Sequence, residues 1–430
     1  MNVQQMLKEK MVPTAEAAKL IKSGDLIYTP SASNEPADLW ESIADRADEL
    51  EGVKVRQFLT RRGHKYLDPS YSKHIKVESM FVTGPIRKQI HEGYATYMPW
   101  NFSDMPAMVR QGGCDVLMLA ATPMDEFGYF CYGLGCDYTP AAVEVAKKII
   151  VEVNPSIPWT NGYNKVHISQ VDAVCESNAP LFELLQPTIS SLDEKIAAPI
   201  AERIEDGSTL QVGIGGVPAA VCKYMVHRKD LGMHTELITD YIGDMMESGC
   251  MNGSRKTIHK GKVIATIVEG TKKSFDYIRN NPAIEFHPVD YTNNCFVIAQ
   301  NYKPISINGT IEVDLFGQCC SETIGTQIYG GIGGQLDFAR GVTLNPEGQG
   351  FIVLNSTTKN DTISKIVPTL TTGAVVSTPR TLVDHIVTEY GCVKLRDKSM
   401  QERAKLLISV AHPNFRDELT FEAKKMGLLV

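Results

Sequence analysis

The chain has 430 residues, of which 43% are hydrophobic, and it carries a net charge of −7 with a pI near 5.9. This length predicts two domains, with three as the alternative, and the acidic balance argues against a general nucleic-acid binder. No run approaches the roughly 20 apolar residues that span a bilayer, and residues 1–10 contain no apolar signal core. We therefore expect a cytoplasmic protein without a membrane segment.

The first half of the chain alternates helix and strand signals. A capped helix is predicted at 14–24 and a strand at 25–29, followed by a helix at 39–45 and a strand at 53–59. Together these elements form a β-α-β unit. Other apolar runs typical of buried parallel strands lie at 116–120, 148–153, 263–268, 295–299 and 351–354.

The same order recurs in the second half. A helix at 199–207 and a strand at 208–212 lead to a glycine-rich turn, a helix at 219–225 and a strand at 234–238. This weak internal repeat predicts two related open α/β domains with mainly parallel sheets. We place their limits at residues 1–190 and 191–430. Ligands of such sheets bind beyond the carboxyl ends of the strands.

Cysteine and histidine spacing gives no indication of a disulfide framework or a metal site. The ten cysteines include no CxxC pair, so we expect them to be reduced and mostly buried. The ten histidines form neither an HxH nor an HExxH pattern. The sequence therefore predicts no metal site.

One carboxylate, Glu236, lies between two glycine-rich loops. The first loop, Gly213-Ile214-Gly215-Gly216, matches only part of the dinucleotide fingerprint, because Pro218 takes the place of the third glycine. The second, 330–334, has four glycines in five positions. Such loops are either tight structural turns or sites whose N–H groups bind an anion or oxyanion. Glu236 is correspondingly either an ion-paired strand-end carboxylate or a partly desolvated nucleophile, and the nearby His234 is interpreted as structural.

Several motifs, taken together and in order, resemble a known enzyme family. They are Gly213 to Pro218, His234 to Asp240, Pro288 to Asn293, Gly330 to Phe338 and Val387 to Gly391. With them, the chain resembles the family I coenzyme A transferases, in the acetyl-CoA hydrolase/transferase branch, from about Thr14 to Glu418. The family pattern commonly has Gly after the aspartate of the catalytic segment, whereas Tyr241 follows Asp240 here, which leaves the acid specificity open.

The resemblance implies two related α/β domains with the active site between them. It implies a ping-pong transfer of CoA from an acyl-CoA to a short-chain carboxylate such as acetate, butyrate or 4-hydroxybutyrate. Glu236 matches the catalytic glutamate, which forms an acyl-glutamyl anhydride and then a glutamyl-CoA thioester. CoA is a substrate, no metal or resident cofactor is required, and a homodimer or homotetramer is expected. The residues expected to line the CoA and oxyanion sites are Gly213, Gly215, Gly216, Asn293, Gly331, Gly333 and Gly334.

Two alternatives stay open at this point. An acyl-CoA hydrolase would use the same glutamate, with water ending the covalent intermediate, and water exclusion depends on pocket closure. A non-covalent nucleotide or sugar-phosphate binding protein would use only the glycine loops. Dependence on an acceptor carboxylate separates the first alternative from a transferase. The behaviour of Glu236→Gln separates the second.

Overall fold

The computed structural model describes residues 2–430 and divides into two compact units. Unit 1 contains the chain up to Leu185 together with Ile264–Thr292, and unit 2 contains Gln186–Val263 and Asn293–Val430. The chain therefore leaves unit 1, builds part of unit 2, returns to complete unit 1, and then finishes unit 2. Compactness alone does not define a domain, so the limits at 1–190 and 191–430 stay a prediction.

The helices and strands are numbered in chain order. The helices are α1 (Val3–Lys10), α2 (Thr14–Ala18), α3 (Ala37–Ala44), α4 (Gly84–His91), α5 (Met105–Gly112), α6 (Thr139–Val145), α7 (Ser191–Ala201), α8 (Gly216–Met225), α9 (Asp240–Glu247), α10 (Lys272–Ile278), α11 (Val289–Thr292), α12 (Cys295–Ala299), α13 (Gln335–Leu344), α14 (Met400–Ser409) and α15 (Pro413–Lys425). The strands are β1 (Leu26–Tyr28), β2 (Val53–Gln57), β3 (Ile75–Ser79), β4 (Ala95–Tyr97), β5 (Cys114–Ala121), β6 (Tyr129–Cys131), β7 (Ala146–Val153), β8 (Asn161–Gly162), β9 (Lys165–His167), β10 (Ala173–Glu176), β11 (Thr209–Val212), β12 (Gly232–Met233), β13 (Leu237–Ile238), β14 (Val263–Ala265), β15 (Ile267–Val268), β16 (Ile284–Phe286), β17 (Pro304–Gly309), β18 (Glu312–Asp314), β19 (Cys319–Cys320), β20 (Thr323–Ile324), β21 (Gln327–Ile328), β22 (Gln349–Val353), β23 (Thr357–Thr358), β24 (Ile363–Ser364), β25 (Ile366–Val367), β26 (His385–Thr388) and β27 (Gly391–Lys394).

Unit 1 is built on a seven-stranded sheet in the order β10-β7-β5-β1-β2-β3-β4. All six pairings in it are parallel. The long strands β5 and β7 are almost entirely buried at their carboxyl halves, as expected for a parallel sheet covered on both faces. The returning segment adds β16, which pairs in parallel with β8.

Unit 2 is built on a six-stranded sheet in the order β12-β11-β17-β22-β26-β27. Its pairings are parallel except at the edge, where β27 runs antiparallel to β26. Helices lie on the connection from β11 to β12 and on the crossover from β17 to β22, which contains α13. The connection from β22 to β26 instead contains the short strands β23, β24 and β25. A hydrophobic cluster packs α14 and α15 with the strand residues Ile352, Ile386 and Val313. The two sheets confirm the predicted α/β class with mainly parallel strands.

Several predicted elements differ from the structure. The helix predicted at 199–207 overlaps only the end of α7, which begins at Ser191 and ends at Ala201. The strand predicted at 263–268 is divided into β14 and β15, which belong to different sheets. The apolar run 295–299 is a helix and not a strand, because the Asn294 side chain accepts a hydrogen bond from Phe296 N and caps the first turn. The predicted strand 234–238 is interrupted, with β12 ending at Met233 and β13 beginning at Leu237. Alternation of apolar residues could not reveal this bend.

The predicted environment of the cysteines agrees with the structure. All ten are free thiols, and eight of them are buried. Among residues 2–430 no helix has both the length and the apolar composition that crossing a membrane requires.

Candidate active site

Glu236 lies in the bend between β12 and β13 and is half-buried. The segment before it is held against β11, because His234 N donates to Leu210 O at 3.0 Å. Thr235 is fully buried, and its hydroxyl oxygen accepts from Val212 N at 3.5 Å. The backbone on the amino side of the carboxylate is therefore fixed to the strand that leads into the first glycine turn.

The side chain of Asn293 joins Glu236 to a second carboxylate. Its Nδ2 donates to Glu236 Oε2 at 2.9 Å and to Asp337 Oδ2 at 3.3 Å. Asn293 is 1% exposed and Asp337 is 8% exposed. Asn293 Oδ1 is buried without a hydrogen-bond partner among the described residues. The structure thus brings two sequence-predicted site residues into direct contact across 57 positions of the chain.

Gly334 lies against the same carboxylate. A Cβ atom at this position would stand 2.0 Å from Glu236 Oε2 and 2.1 Å from Asn293 Nδ2. Gly334 is also the residue before α13, whose first N–H groups have no acceptor within the helix. The N-terminus of a helix carries a partial positive charge, which stabilises a nearby carboxylate. Only glycine lets the backbone come this close to Glu236.

The turn at 213–216 has specific backbone requirements. Gly215 has a φ of +138° at the N-cap of α8, a conformation that favours glycine. A Cβ on Gly216 would stand 2.4 Å from Asp193 Oδ2, within the capping box of α7. Gly216 therefore has a packing reason to be glycine. The predicted ligand roles of Gly213, Gly215 and Gly216 stay predictions.

The second glycine loop contains Gly331 and Gly333 as further predicted site residues. Gly333 has a φ of +55°, in the left-handed region that favours glycine. It immediately precedes Gly334, so this conformation shapes the approach of the loop to Glu236. The predicted contacts of Gly331 and Gly333 with CoA stay predictions.

Tyr241, which departs from the family pattern, contacts the first glycine turn. Its hydroxyl donates to Gly213 O at 2.8 Å. Burial raises the pKa of this phenol well above its ordinary value, so the hydroxyl keeps its proton at neutral pH. Tyr241 therefore connects the start of α9 to the turn after β11.

A second cluster of polar side chains lies in unit 1, at the carboxyl ends of β1 and β2. Glu35 Oε2 accepts hydrogen bonds from the backbone N–H groups of Arg61 and Arg62, both at 3.1 Å. Burial raises the pKa of Glu35 to about 8, and burial lowers the pKa of His64 to about 4. Glu35 Oε1 and His64 Nε2 are 3.9 Å apart, and both pKa shifts favour the neutral form of these buried side chains. The Arg61 guanidinium binds both oxygens of the buried Glu269, at 2.6 and 2.7 Å.

Comparison with known proteins identifies the family. The N-terminal domain model of acetyl-CoA hydrolase/transferase matches residues 1–184, and the C-terminal domain model matches residues 270–423. The succinyl-CoA:cyclohexane-1-carboxylate CoA transferase of Geobacter metallireducens is 44% identical, over 98% of this chain and 96% of that protein. The chain belongs to the acetyl-CoA hydrolase/transferase family.

Further relatives match nearly the whole chain. The 4-hydroxybutyrate coenzyme A transferase of Clostridium kluyveri is 38% identical, over 99% of this chain and 100% of that protein. The crystal structure of RipA from Yersinia pestis has a TM-score of 0.95 and 37% identity, covering 100% of both chains. The relatives confirm the resemblance drawn from the motifs and the prediction of a CoA-transferase enzyme.

One residue of the candidate site is not predicted from the sequence. Asp337 stands within the motif Gly330 to Phe338, but its pattern is that of an acidic residue in the first turn of a helix. Its contact with Asn293 crosses 44 positions of the chain. The sequence does place Asp337 three residues after Gly334, in the first turn of the helix that follows the loop. This spacing is the one feature that could have indicated its nearness to the site.

Proposed function

We propose that the protein moves CoA from an acyl-CoA to a short-chain carboxylate through covalent intermediates on Glu236. The observation that carries this proposal is the position of the Glu236 carboxylate, 2.9 Å from the Asn293 amide and against Gly334 at the start of α13. A carboxylate nucleophile needs a fixed position, and a developing oxyanion needs donors that are already in place. Both are available at this point of unit 2.

In the first half-reaction, a Glu236 oxygen attacks the thioester carbonyl carbon. The carbon–sulfur bond breaks, CoA leaves as the thiolate, and an acyl-glutamyl anhydride forms. The thiolate then attacks the side-chain carbonyl of Glu236 in this anhydride. The carbon–oxygen bond breaks, the first acid leaves as its carboxylate, and Glu236 becomes a CoA thioester. Splitting the exchange in this way replaces one difficult step by easier ones.

In the second half-reaction, the acceptor carboxylate attacks the glutamyl thioester and expels the CoA thiolate. The thiolate then attacks the acyl carbonyl of the new anhydride. This step releases the new acyl-CoA and returns Glu236 as a free carboxylate. Every bond broken is matched by one formed, and neither water nor a cofactor is consumed.

Asn293 Nδ2 and the N-terminus of α13 are the groups positioned to stabilise the negative charge on oxygen in these steps. The amide already donates to the nucleophile, and the N–H groups of the first turn have no acceptor in the helix. Removing a single donor from an oxyanion site typically lowers kcat by about 100- to 1000-fold. We therefore assign Asn293 to this role, together with the backbone that follows Gly334.

The direct test is to trap the intermediate. The pure protein is mixed with butyryl-CoA without an acceptor, treated with borohydride, and analysed by peptide mass spectrometry. Reduction of a glutamyl-CoA thioester converts the side chain to an alcohol, so the peptide containing Glu236 loses mass. Glu236→Gln is expected to abolish both this mass change and turnover, while binding of the CoA ester survives.

A matched control is Glu247→Gln, which makes the same chemical change on the exposed end of α9. This variant is expected to form the intermediate like the wild type. An unmodified Glu236 peptide, together with no exchange of CoA between acids, would contradict the covalent mechanism. That outcome would leave the glycine loops as a non-covalent binding site.

The acceptor dependence of turnover separates a transferase from a hydrolase. A transferase releases little free CoA until a carboxylate is added, whereas a hydrolase releases it steadily in water. Acetate, butyrate and 4-hydroxybutyrate are the first acceptors to measure, because they are the acids expected from the resemblance. The homo-oligomeric state and the cytoplasmic location also stay predictions.

A further inference from the structure

We propose that Asp337 is a positioning residue, which holds the amide of Asn293 in the orientation that serves Glu236; this inference rests on the function proposed above. The Asn293 Nδ2 atom donates to Glu236 Oε2 at 2.9 Å and to Asp337 Oδ2 at 3.3 Å. The nitrogen of a primary amide carries two hydrogens, and here each has a carboxylate acceptor.

The two carboxylates decide which way the amide faces. Rotating the Asn293 amide by half a turn would place Oδ1 against two carboxylate oxygens and replace two attractive contacts by two repulsive ones. Oδ1 has no hydrogen-bond partner among the described residues and so does not determine the orientation itself. Because Asn293 is 1% exposed, water cannot readily substitute for a lost acceptor.

The role of Asp337 is largest once Glu236 has reacted. In the anhydride and in the thioester, the Glu236 side chain has lost its negative charge and is a weaker acceptor. Asp337 then remains as the acceptor of a hydrogen bond from the Asn293 amide. The Nδ2 atom consequently stays directed at the reacting carbonyl through both half-reactions. Loss of Asp337 should therefore lower kcat more than it changes the KM for the CoA ester.

A purely structural role for Asp337 has to be separated from this one. Asp337 lies in the first turn of α13, where a carboxylate also stabilises the helix N-terminus. Moving the charge within that turn distinguishes the two roles. The double variant Gln335→Glu/Asp337→Asn returns a carboxylate to the first turn but removes it from Asn293.

The experiment measures CoA transfer from butyryl-CoA to acetate for Asp337→Asn, Asn293→Ala, their double variant and Gln335→Glu/Asp337→Asn. Asp337→Asn is expected to lower kcat by about 10-fold or more with little change in KM, as for a misplaced catalytic group. In the Asn293→Ala background, the same change should have no further effect on kcat, because the group that Asp337 positions is gone. Relative to Asp337→Asn, the variant Gln335→Glu/Asp337→Asn should regain thermal stability but should not regain kcat.

Three results would overturn the inference. The first is a wild-type kcat in Asp337→Asn. The second is an equal loss of kcat on Asp337→Asn in the wild-type and Asn293→Ala backgrounds. The third is a wild-type kcat in Gln335→Glu/Asp337→Asn. Failure of the proposed function is recognised separately, because then the wild type transfers no CoA or Glu236→Gln keeps full activity. An active wild type with an inactive Glu236→Gln leaves only the role of Asp337 in question.

Discussion

At the scale of single residues, Gly334 is the position where adding one methyl group would collide with the Glu236 carboxylate. A methyl group there would stand 2.0 Å from Glu236 Oε2, so the carboxylate, the Asn293 amide or the loop must move. We expect Gly334→Ala to lower kcat on the order of 100-fold, since displacements of about 1 Å cost this much in a positioned site. The measurement is steady-state CoA transfer, with thermal denaturation to verify folding.

Gly309→Ala is the matched control for this change. A Cβ at Gly309, at the end of β17, meets nothing within 4 Å. It should leave both kcat and stability close to wild type. A wild-type kcat in Gly334→Ala would show that the contact with Glu236 relaxes without consequence, which would contradict the positioning of the nucleophile by this loop.

Glu35 gives a prediction on the pH dependence of stability. Burial raises its pKa from 4.5 to about 8, so between these values the folded protein keeps a proton that the unfolded chain has released. Stability from this group is fully present below pH 4.5 and is lost as the pH rises towards 8. Glu35→Gln carries no such proton. Its free energy of unfolding relative to wild type should therefore rise with pH, by at most about 1.4 kcal/mol per pH unit.

The measurement is urea denaturation of wild type and Glu35→Gln at about pH 5.5 and about pH 7.5, which lie inside the titration window. Glu126→Gln, an exposed carboxylate in unit 1, is the control and should track the wild type at both values. A difference between Glu35→Gln and wild type that does not change with pH would mean that Glu35 is ionised throughout.

At the scale of elements, the Tyr241 hydroxyl connects α9 to the turn after β11. We expect Tyr241→Phe to keep the packing of the ring but to lower the free energy of unfolding by about 1 kcal/mol, the usual value of one hydrogen bond. Because burial raises the pKa of this phenol, the loss should be the same across the neutral range. Tyr224→Phe, on the exposed face of α8, is the control. An unchanged stability in Tyr241→Phe would show that water replaces the bond to Gly213 O.

Some of these helices and strands could be predicted from the sequence alone, and others could not. Strands β5, β7 and β22 were predictable because apolar runs bounded by turn residues are typical of buried parallel strands. Strands β1, β2 and β11 are short or alternate polar and apolar residues, and the helix and turn signals beside them made them predictable. The run 295–299 was not, since five apolar residues fit either period and a single cap at Asn294 decides for a helix. The surroundings of Glu236 were likewise hidden, because its side chain contacts Asn293 and Gly334, which are far away in the chain.

The candidate site was predictable only in part for the same physical reason. Glu236 was predicted from its position between two glycine-rich loops, and the roles of Asn293 and Gly334 were predicted from the resemblance of motifs. The structure brings these three residues together. Asp337 was missed because an acidic residue in a first helical turn has an ordinary local explanation. Sequence patterns report on local periodicity, whereas a bridging amide is determined by tertiary contacts that no local pattern records.

At the scale of the whole molecule, unit 1 depends on a segment that returns late in the chain. Residues 264–292 supply several contacts inside this unit: Val268 N donates to Leu134 O at 2.9 Å, and β16 pairs with β8. The segment also carries Glu269, the buried partner of the Arg61 guanidinium. Removing one partner of a buried ion pair leaves an uncompensated charge, which costs about 3–5 kcal/mol.

We therefore expect residues 1–185 alone to fail to fold cooperatively. Their strands lose the pairing at Asn161, and Arg61 loses its carboxylate, which together approach the total stability of a typical domain, about 5–15 kcal/mol. Joining residues 264–292 to residue 185 through a flexible Gly-Ser linker should restore a single cooperative melting transition. The measurement is near-ultraviolet circular dichroism during heating, with a scrambled 264–292 segment as the control. A cooperative transition of residues 1–185 without the segment would mean that the seven-stranded sheet is stable by itself and that the returning segment is only bound to its surface.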